Sequence, residues 1–177
     1  MNRRDRRDEE TQELDERIVD ITRVSKVVKG GRTFHFRVVA VVGNNRGEVG
    51  VGIGKAPKVP EAIGKATSRA RRNMEPVVLE GSTVPHKVIG RCGGARVMLR
   101  PATPGTGVIA GGAARAVLEA AGVHDVLTKS LGSATQVNVV QATMDALRQM
   151  RSVEAIARER GVPEARVMPF WRRRRTS

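Results

Sequence analysis

The side chains able to do covalent or acid–base chemistry are few in this 177-residue chain, and they stand apart. His35, His86 and His124 are single, Cys92 has no nearby partner, and no pair of carboxylates recurs in an interior poor in acids. General acid–base or nucleophilic catalysis needs groups within reach of one another, and a metal site needs clustered Cys and His. The pattern therefore points away from an enzyme, a metal site or a cofactor, and Cys92 is expected to be a small buried hydrophobe. Two glycine-rich runs imitate phosphate-gripping loops. Gly47 to Lys55 ends in Gly54-Lys55, but a GxxxxGK[ST] loop needs glycine at 49 and a hydroxyl at 56, where Val49 and Ala56 stand. Gly105-x-Gly107-x-x-Ala110 fits the loose dinucleotide fingerprint literally and precedes a helix, but it is read as lacking the acidic residue about 20 positions later that would hold a ribose, and a tight turn before a helix starting at Gly111-Gly112 is the simpler expectation.

Charge is what the sequence supplies in quantity. Lys and Arg number 32 against 18 Asp and Glu, a net +14. Residues 1–17 hold five arginines against seven acids, so the remainder carries a surplus of sixteen cations. Uncompensated charge of one sign destabilises a compact state, and nucleic acid or an anionic membrane surface would relieve it. No stretch approaches the roughly 20 apolar residues that cross a bilayer. MNRRDRRDEE has no apolar run behind it and cannot act as a secretory signal. One cysteine allows no internal disulfide, and a reducing cytoplasm is expected. With no Tyr, three Phe and one Trp, platforms for stacking bases are scarce. That favours shape recognition of folded RNA through phosphates and 2′-hydroxyls, without separating it from duplex DNA.

Two places could meet phosphates. The stretch Arg23-Val-Ser25-Lys26-Val-Val-Lys29-Gly30-Gly31-Arg32 has basic residues at both strand ends and around a flexible tip, so an extended basic hairpin could enter where a globular surface cannot. The bland alternative is an exposed hairpin whose lysines guard against edge pairing. In the second place, Lys65, Arg69 and Arg72 fall on one side of a helix, opposite Ile63, Ala66, Ala70 and Met74. Lys55 and Arg71 join them as candidates. Residues 23–72 hold twelve basic and two acidic side chains, whereas a merely solvated face intersperses acids for pairing.

The elements that must position these residues are legible from periodicity. Residues 18–54 alternate in the manner of a three-stranded antiparallel meander, broken at Gly30-Gly31 and Gly43-Asn44-Asn45. In its third strand Val49, Val51 and Ile53 alternate with Gly50, Gly52 and Gly54, so something must approach the bare face closely. A helix is expected from Val59, with Pro60 in its first turn and Pro76 as its end. Residues 86–103 begin a second run of strands. They are followed by a helix striped by Ala114, Val117, Leu118 and Ala121, a strand, a helix striped by Val140, Met144 and Leu147 with Thr135 as cap, and a short helix capped by Ser152 and stopped by Gly161. The tail, Phe170-Trp171 and Arg172 to Arg175, is a polybasic arm expected to order on its partner.

The strings RVSKVVKGGR, FRVVAVVGN, VGIGKAPKVPEAIGKA, ARRNM, RPATPGTGVIAGGAARAVLEAAGVHDVLTKS and NVVQATMDAL closely resemble the bacterial small-subunit ribosomal protein family S-five, in order and without visible gaps from about Ile18 to Gly161. Val51 departs from a larger, often aromatic, residue expected between those glycines. The resemblance implies an α+β chain of two domains: a double-stranded-RNA-binding-like β-β-β-α unit over 18–81 and a two-layer α/β sandwich over 82–161. A flexible charged arm (1–17) and a basic tail (162–177) flank them. The sandwich would contain a left-handed crossover, against the usual hand. By resemblance the chain is a non-catalytic constituent of the small ribosomal subunit that binds its RNA beside ribosomal proteins S-four and S-eight. It would help hold head relative to body, influence accuracy and line the messenger RNA entry route, with no membrane or small-molecule partner. The hairpin Arg23 to Arg32 resembles the loop that touches head RNA where spectinomycin acts. Gly107, Gly111, Gly112 and Arg115 lie in a stretch resembling that beside the S-four contact. The competing classes are a free-standing regulator of double-stranded RNA and a nucleotide-using enzyme.

Overall fold

A long antiparallel hairpin opens the chain: β1 (Asp15–Val28) pairs with β2 (Gly31–Gly43) from Asp15↔Gly43 to Val28↔Gly31. The computed structural model describes residues 14–168. Residues 1–13 of the expected arm, and the tail from Phe170, lie outside the described residues. Val, Ile and Phe favour the pleat, and Gly30, at φ 102°, takes the backbone conformation at the tip that other residues resist. The side chain of Asn44 accepts from the amides of Arg46 and Glu48, at 2.9 and 3.0 Å, which closes the next turn. β3 (Glu48–Ala56) follows, and the short β4 (Glu75–Pro76) completes a sheet of order β1-β2-β3-β4. β1 starts three residues inside the stretch expected to be an arm, because Asp15, Glu16 and Arg17 pair with Gly43, Val42 and Val41.

The bare face of β3 is filled by backbone. Helix α1 (Val59–Arg72) lies on it with Ala62, Ala66 and Ala70 fully buried. A Cβ added at Gly54, Gly52 or Gly50 would fall on the carbonyl oxygen of Ala62, Ala66 or Ala70 respectively. Three glycines two apart therefore mate with three alanines four apart, since two strand residues and one helical turn cover comparable length. The expected stripe is rotated: Ala62 is buried while Ile63 and Met74 are half-buried, because only an alanine fits a glycine notch. Phe36 and Ile63 close the margin of the Val38, Ala40, Ala56 core. The helix stops at Asn73, short of Pro76, where the Asn73 amide meets the carbonyls of Arg69 and Ala70 at 3.1 Å.

The second unit is a β-sheet backed by helices. β5 (Val88–Cys92) and β6 (Ala95–Pro101) form a hairpin, and β7 (Val108–Ile109) and β8 (Val126–Gly132) are parallel, joined through α2 (Gly112–Ala120). The sheet order is β5-β6-β8-β7. Helix α3 (Gln136–Arg148) packs on β5 and β6, again over a glycine, since a Cβ at Gly90 would meet the backbone of Ala142 and Ala146. Thr135 occupies the expected cap position without making the capping bond; its hydroxyl is met by that of Ser133 at 3.1 Å. Helix α4 (Val153–Arg160) is capped as expected, the Ala155 amide donating to Ser152 Oγ at 3.2 Å, and α5 (Glu164–Val167) follows.

Contacts divide the chain between Glu75 and Pro76, with Ala120–Gly122 counted to the first unit. That is earlier than the expected Gly81. The Glu80–Thr83 turn is held from the other side, because the amides of His124 and Asp125 both donate to Ser82 O at 2.9 Å and Ala102 N donates to Thr83 Oγ1 at 3.2 Å. Among the described residues the architecture is α+β with two sheets and five helices. Cys92 is half-buried, not buried as expected, at the end of β5 beside the Gly93-Gly94 turn.

Candidate nucleic-acid interface

The hairpin outruns its sheet. β2 pairs with β3 only as far as Phe36↔Ala56, whereas β1 and β2 continue together for five further pairs, Val24↔His35 to Val28↔Gly31. At about 3.4 Å per residue this is a two-stranded ribbon roughly 17 Å long. All of Ser25 to Phe34 is exposed, Val27 to 72%. No acidic residue occurs between Asp20 and Glu48. The ribbon gathers Ser25, Lys26, Lys29, Gly30, Gly31 and Arg32 into one feature, with Arg23 at its base.

Register sorts the side chains by face. The face continuous with the α1 side of the sheet carries Arg23, Ser25, Phe34, Val27 and Arg32. There the Arg23 guanidinium lies 3.8 Å from the Phe34 ring centroid, a cation–π contact that fixes its direction. The opposite face carries Lys26, His35, Arg37 and Lys55, with Arg37 directly across from Lys55. Two like charges opposite each other repel, and Arg37 Nε is buried with no hydrogen-bond partner among the described residues. Arg37 is a cation that the sequence reading passed over. Counting pairs back from the Gly30 turn would have placed it on the Lys26 side.

The other candidates do not form one surface. Lys55 is on the sheet face away from α1, while Lys65, Arg69, Arg71 and Arg72 belong to the helix. Arg69 donates through Nη1 to Ile53 O at 2.6 Å, and Asn73 Nδ2 to Val51 O at 3.4 Å, so both satisfy edge carbonyls of β3 that two-residue β4 leaves open. Arg71 pairs with Glu16 Oε1 at 2.6 Å. Among the described residues Arg72 reaches only Ser68 Oγ, at 3.3 Å, and Lys65 is exposed. Spacing along the helix revealed the shared face and could not reveal these commitments across 16 and 55 residues of chain.

In the second unit, Gly105 and Gly107 both take positive φ (88° and 79°) and Thr106 N donates back to Thr103 O at 3.1 Å, the expected tight turn. Asp125 holds it: Oδ2 accepts from Ser82 Oγ at 2.6 Å and Oδ1 from Gly107 N at 3.0 Å, with 5% of the residue exposed. The Ser82 hydroxyl and the Gly107 amide hold its carboxyl below the ordinary aspartate value, against the opposing effect of burial. Asp125 follows Gly105 by about the 20 residues at which dinucleotide folds place a ribose ligand, a coincidence missed in the sequence, but both its oxygens are turned inward. Gly111, Gly112 and Arg115 are exposed, with open space around both glycine Cα atoms, and Arg115 Nη2 donates to Val108 O at 3.3 Å.

Comparison with known proteins agrees with both units. Residues 14–78 match the family model for ribosomal protein S5, N-terminal domain, and residues 90–160 that for ribosomal protein S5, C-terminal domain. Curated relatives include proteins named small ribosomal subunit protein uS5 from Syntrophobacter fumaroxidans, 54% identical over 84% of this chain and 90% of the relative, and Pseudothermotoga lettingae, 52% identical over 90% and 89%. Another, from Nocardia farcinica, is 56% identical over 87% of this chain and 71% of its own length. The two family domains in order, each on a compact unit of the fold, show that the chain belongs to the ribosomal protein S5 family of non-enzymatic small-subunit components.

Proposed function

We propose that the chain works in the cytoplasm as a fixed, RNA-binding part of the small ribosomal subunit, and that its ribbon enters ribosomal RNA where head meets body. The observation that carries this is an acid-free two-stranded ribbon bearing Lys26, Lys29 and Arg32 beyond the last pairing with β3, with Arg23 at its base. Such a shape presents cations on both faces and at the tip, so phosphates can be met from several sides and the displaced counterions add to affinity. Lys55, Lys65 and Arg72 are secondary phosphate contacts, and Arg69 and Arg71 contribute what their internal bonds leave free. The turn held by Asp125 positions Gly107, Gly111, Gly112 and Arg115 as a protein contact, with S-four as neighbour and S-eight elsewhere on the chain. Effects on accuracy and on the messenger RNA entry route follow if contacts differ between two states of the subunit, since only differential contacts shift a population.

The test is Lys26→Glu with Arg32→Glu, followed by sedimentation of small subunits and by spectinomycin sensitivity. Weakened assembly or an altered drug response is expected. Normal particles with normal sensitivity would remove the ribbon from this role. A chain that travels free of small subunits in moderate salt would instead favour a free-standing regulator of double-stranded RNA.

A further inference from the structure

The start of α4 is tied by a ring nitrogen to the segment that leads into β5. The backbone amide of Arg151, one residue before the Ser152 cap, donates to His86 Nε2 at 3.1 Å across 65 residues of chain. On the other side of the ring, His86 Nδ1 lies 3.3 Å from Lys87 O. An amide N–H can only donate and a carbonyl oxygen can only accept. The two contacts therefore select one species, a neutral imidazole with its proton on Nδ1 and a bare lone pair on Nε2. This tie matters because little else holds the two helices that follow it. α4 packs chiefly against α5, and of its side chains Val153 and Ala157 are buried. Among the described residues α5 buries no side chain. Elements with so little buried area open at low cost.

We propose that His86 is an acid-labile latch, which holds α4 and α5 on the second unit while its ring is neutral and releases them when it takes a proton. Once protonated, Nε2 becomes a donor aimed at a donor, and the Arg151 amide loses its acceptor. The new charge also has unfavourable neighbours. The cleft around the ring is lined by Lys87 ahead of β5, Arg151 after α3, Glu159 and Arg160 of α4, and Arg166 of α5. Glu159 is the one acid lining the cleft among the described residues, and Arg151 Nη1 already meets both its oxygens at 2.8 Å. The positive end of the α4 dipole, just beyond the tie, disfavours a cation in the same place. The latched arrangement excludes the proton, so by linkage it is complete where histidine is neutral. It is lost as pH falls from about 8 to about 5, the interval in which histidine gains its charge. The chain would thereby present α4 and α5 as docked elements only while its surroundings stay near neutral.

The test is amide hydrogen exchange of the full chain at about pH 7.5 and about pH 5.5, either side of the histidine range. It is read by mass spectrometry as protection relative to unstructured peptide, so that the intrinsic pH dependence of exchange cancels. Protection across α4 and α5 is expected to fall at least about threefold at the lower pH, the worth of about one hydrogen bond, while β6 and α3 keep theirs within about twofold. His86→Gln supplies a side-chain oxygen that can still accept from the Arg151 amide and does not titrate, so it should hold protection level at both pH values. His86→Ala should show the low protection at both. His35→Gln with His124→Gln, which removes the two other histidines, should leave the drop in place. A wild type whose protection does not change with pH would overturn the latch. So would a drop that persists in His86→Gln, one that vanishes in the double variant, or one that spreads equally over β6 and α3.

Discussion

Gly52→Ala is the sharpest perturbation this fold offers, because the added methyl has no direction in which to go. Its Cβ would lie on the carbonyl oxygen of Ala66 and close to the amide of Ala70, both backbone atoms of α1. No rotamer change relieves a backbone contact, so α1 must lift or the strand must bend. Lifting loosens Ala62, Ala66 and Ala70, all at zero exposure, from Val38 and Ala40 beneath them. Overpacking of this kind costs about 1–3 kcal/mol, and the rigidity of both partners places this site near the upper end, about 2–3 kcal/mol. The gain from removing glycine flexibility in the unfolded chain, about 0.4–1 kcal/mol, offsets only part. Gly64→Ala is the control. Gly64 lies in the same helix with nothing near its added Cβ, so the change should stabilise by about 0.5–1 kcal/mol through helix propensity. The assay is equilibrium denaturation followed by circular dichroism, with amide exchange across α1 assigning the effect. Opposite signs are expected from the same substitution at two glycines. If Gly52→Ala falls within about 0.5 kcal/mol of wild type, close backbone approach is not what holds the first unit together.

Asp125→Asn should cost about 1–3 kcal/mol, because bonds to a carboxylate exceed those to an amide, and should free the Thr103–Gly107 turn to exchange its amides faster. Since folding lowers the Asp125 pKa, its contribution is complete above the ordinary aspartate value and is lost as pH falls through the lowered folded value. The stability gap between wild type and Asp125→Asn should therefore narrow on acidification below about pH 4; a gap constant with pH would refute the assignment. Arg71→Ala should change stability by no more than about 0.5 kcal/mol, its ion pair with Glu16 being exposed, whereas Arg69→Ala should cost about 1 kcal/mol by uncapping Ile53 O; chemical denaturation ranks the two. Lys26→Ala and Arg32→Ala should each lower the salt dependence of RNA affinity by about one unit of slope, measured by filter binding across a salt series.

What could be seen in advance followed from short-range rules. Alternation in β1 to β3 and the glycines of β3 announced both a meander and a close neighbour, and Ser152 and Gly161 marked the ends of α4. What could not be seen depends on register or on distant residues. The one-residue rotation that buries Ala62 in place of Ile63 is decided by which side chain fits the notch, which helical periodicity alone does not contain. Arg69 and Arg71 looked like free phosphate contacts until β3 and Glu16, far away in sequence, were found to claim them. Asp125, 20 residues after Gly105, was passed over even as an acid, and nothing local marks it as the anchor of a turn, because Ser82 lies 43 residues earlier.

The seam of glycine against alanine has a mechanical meaning. Side chains normally act as springs between a helix and a sheet, bending at their torsions under load; here main chain bears on main chain and there is little to bend. A ribbon some 17 Å long is a lever, and its usefulness depends on its fulcrum. Force applied at Gly30 would be delivered to the sheet with little lost in compliance, so the first unit should behave as a strut whose far end follows the movements of whatever the tip grips.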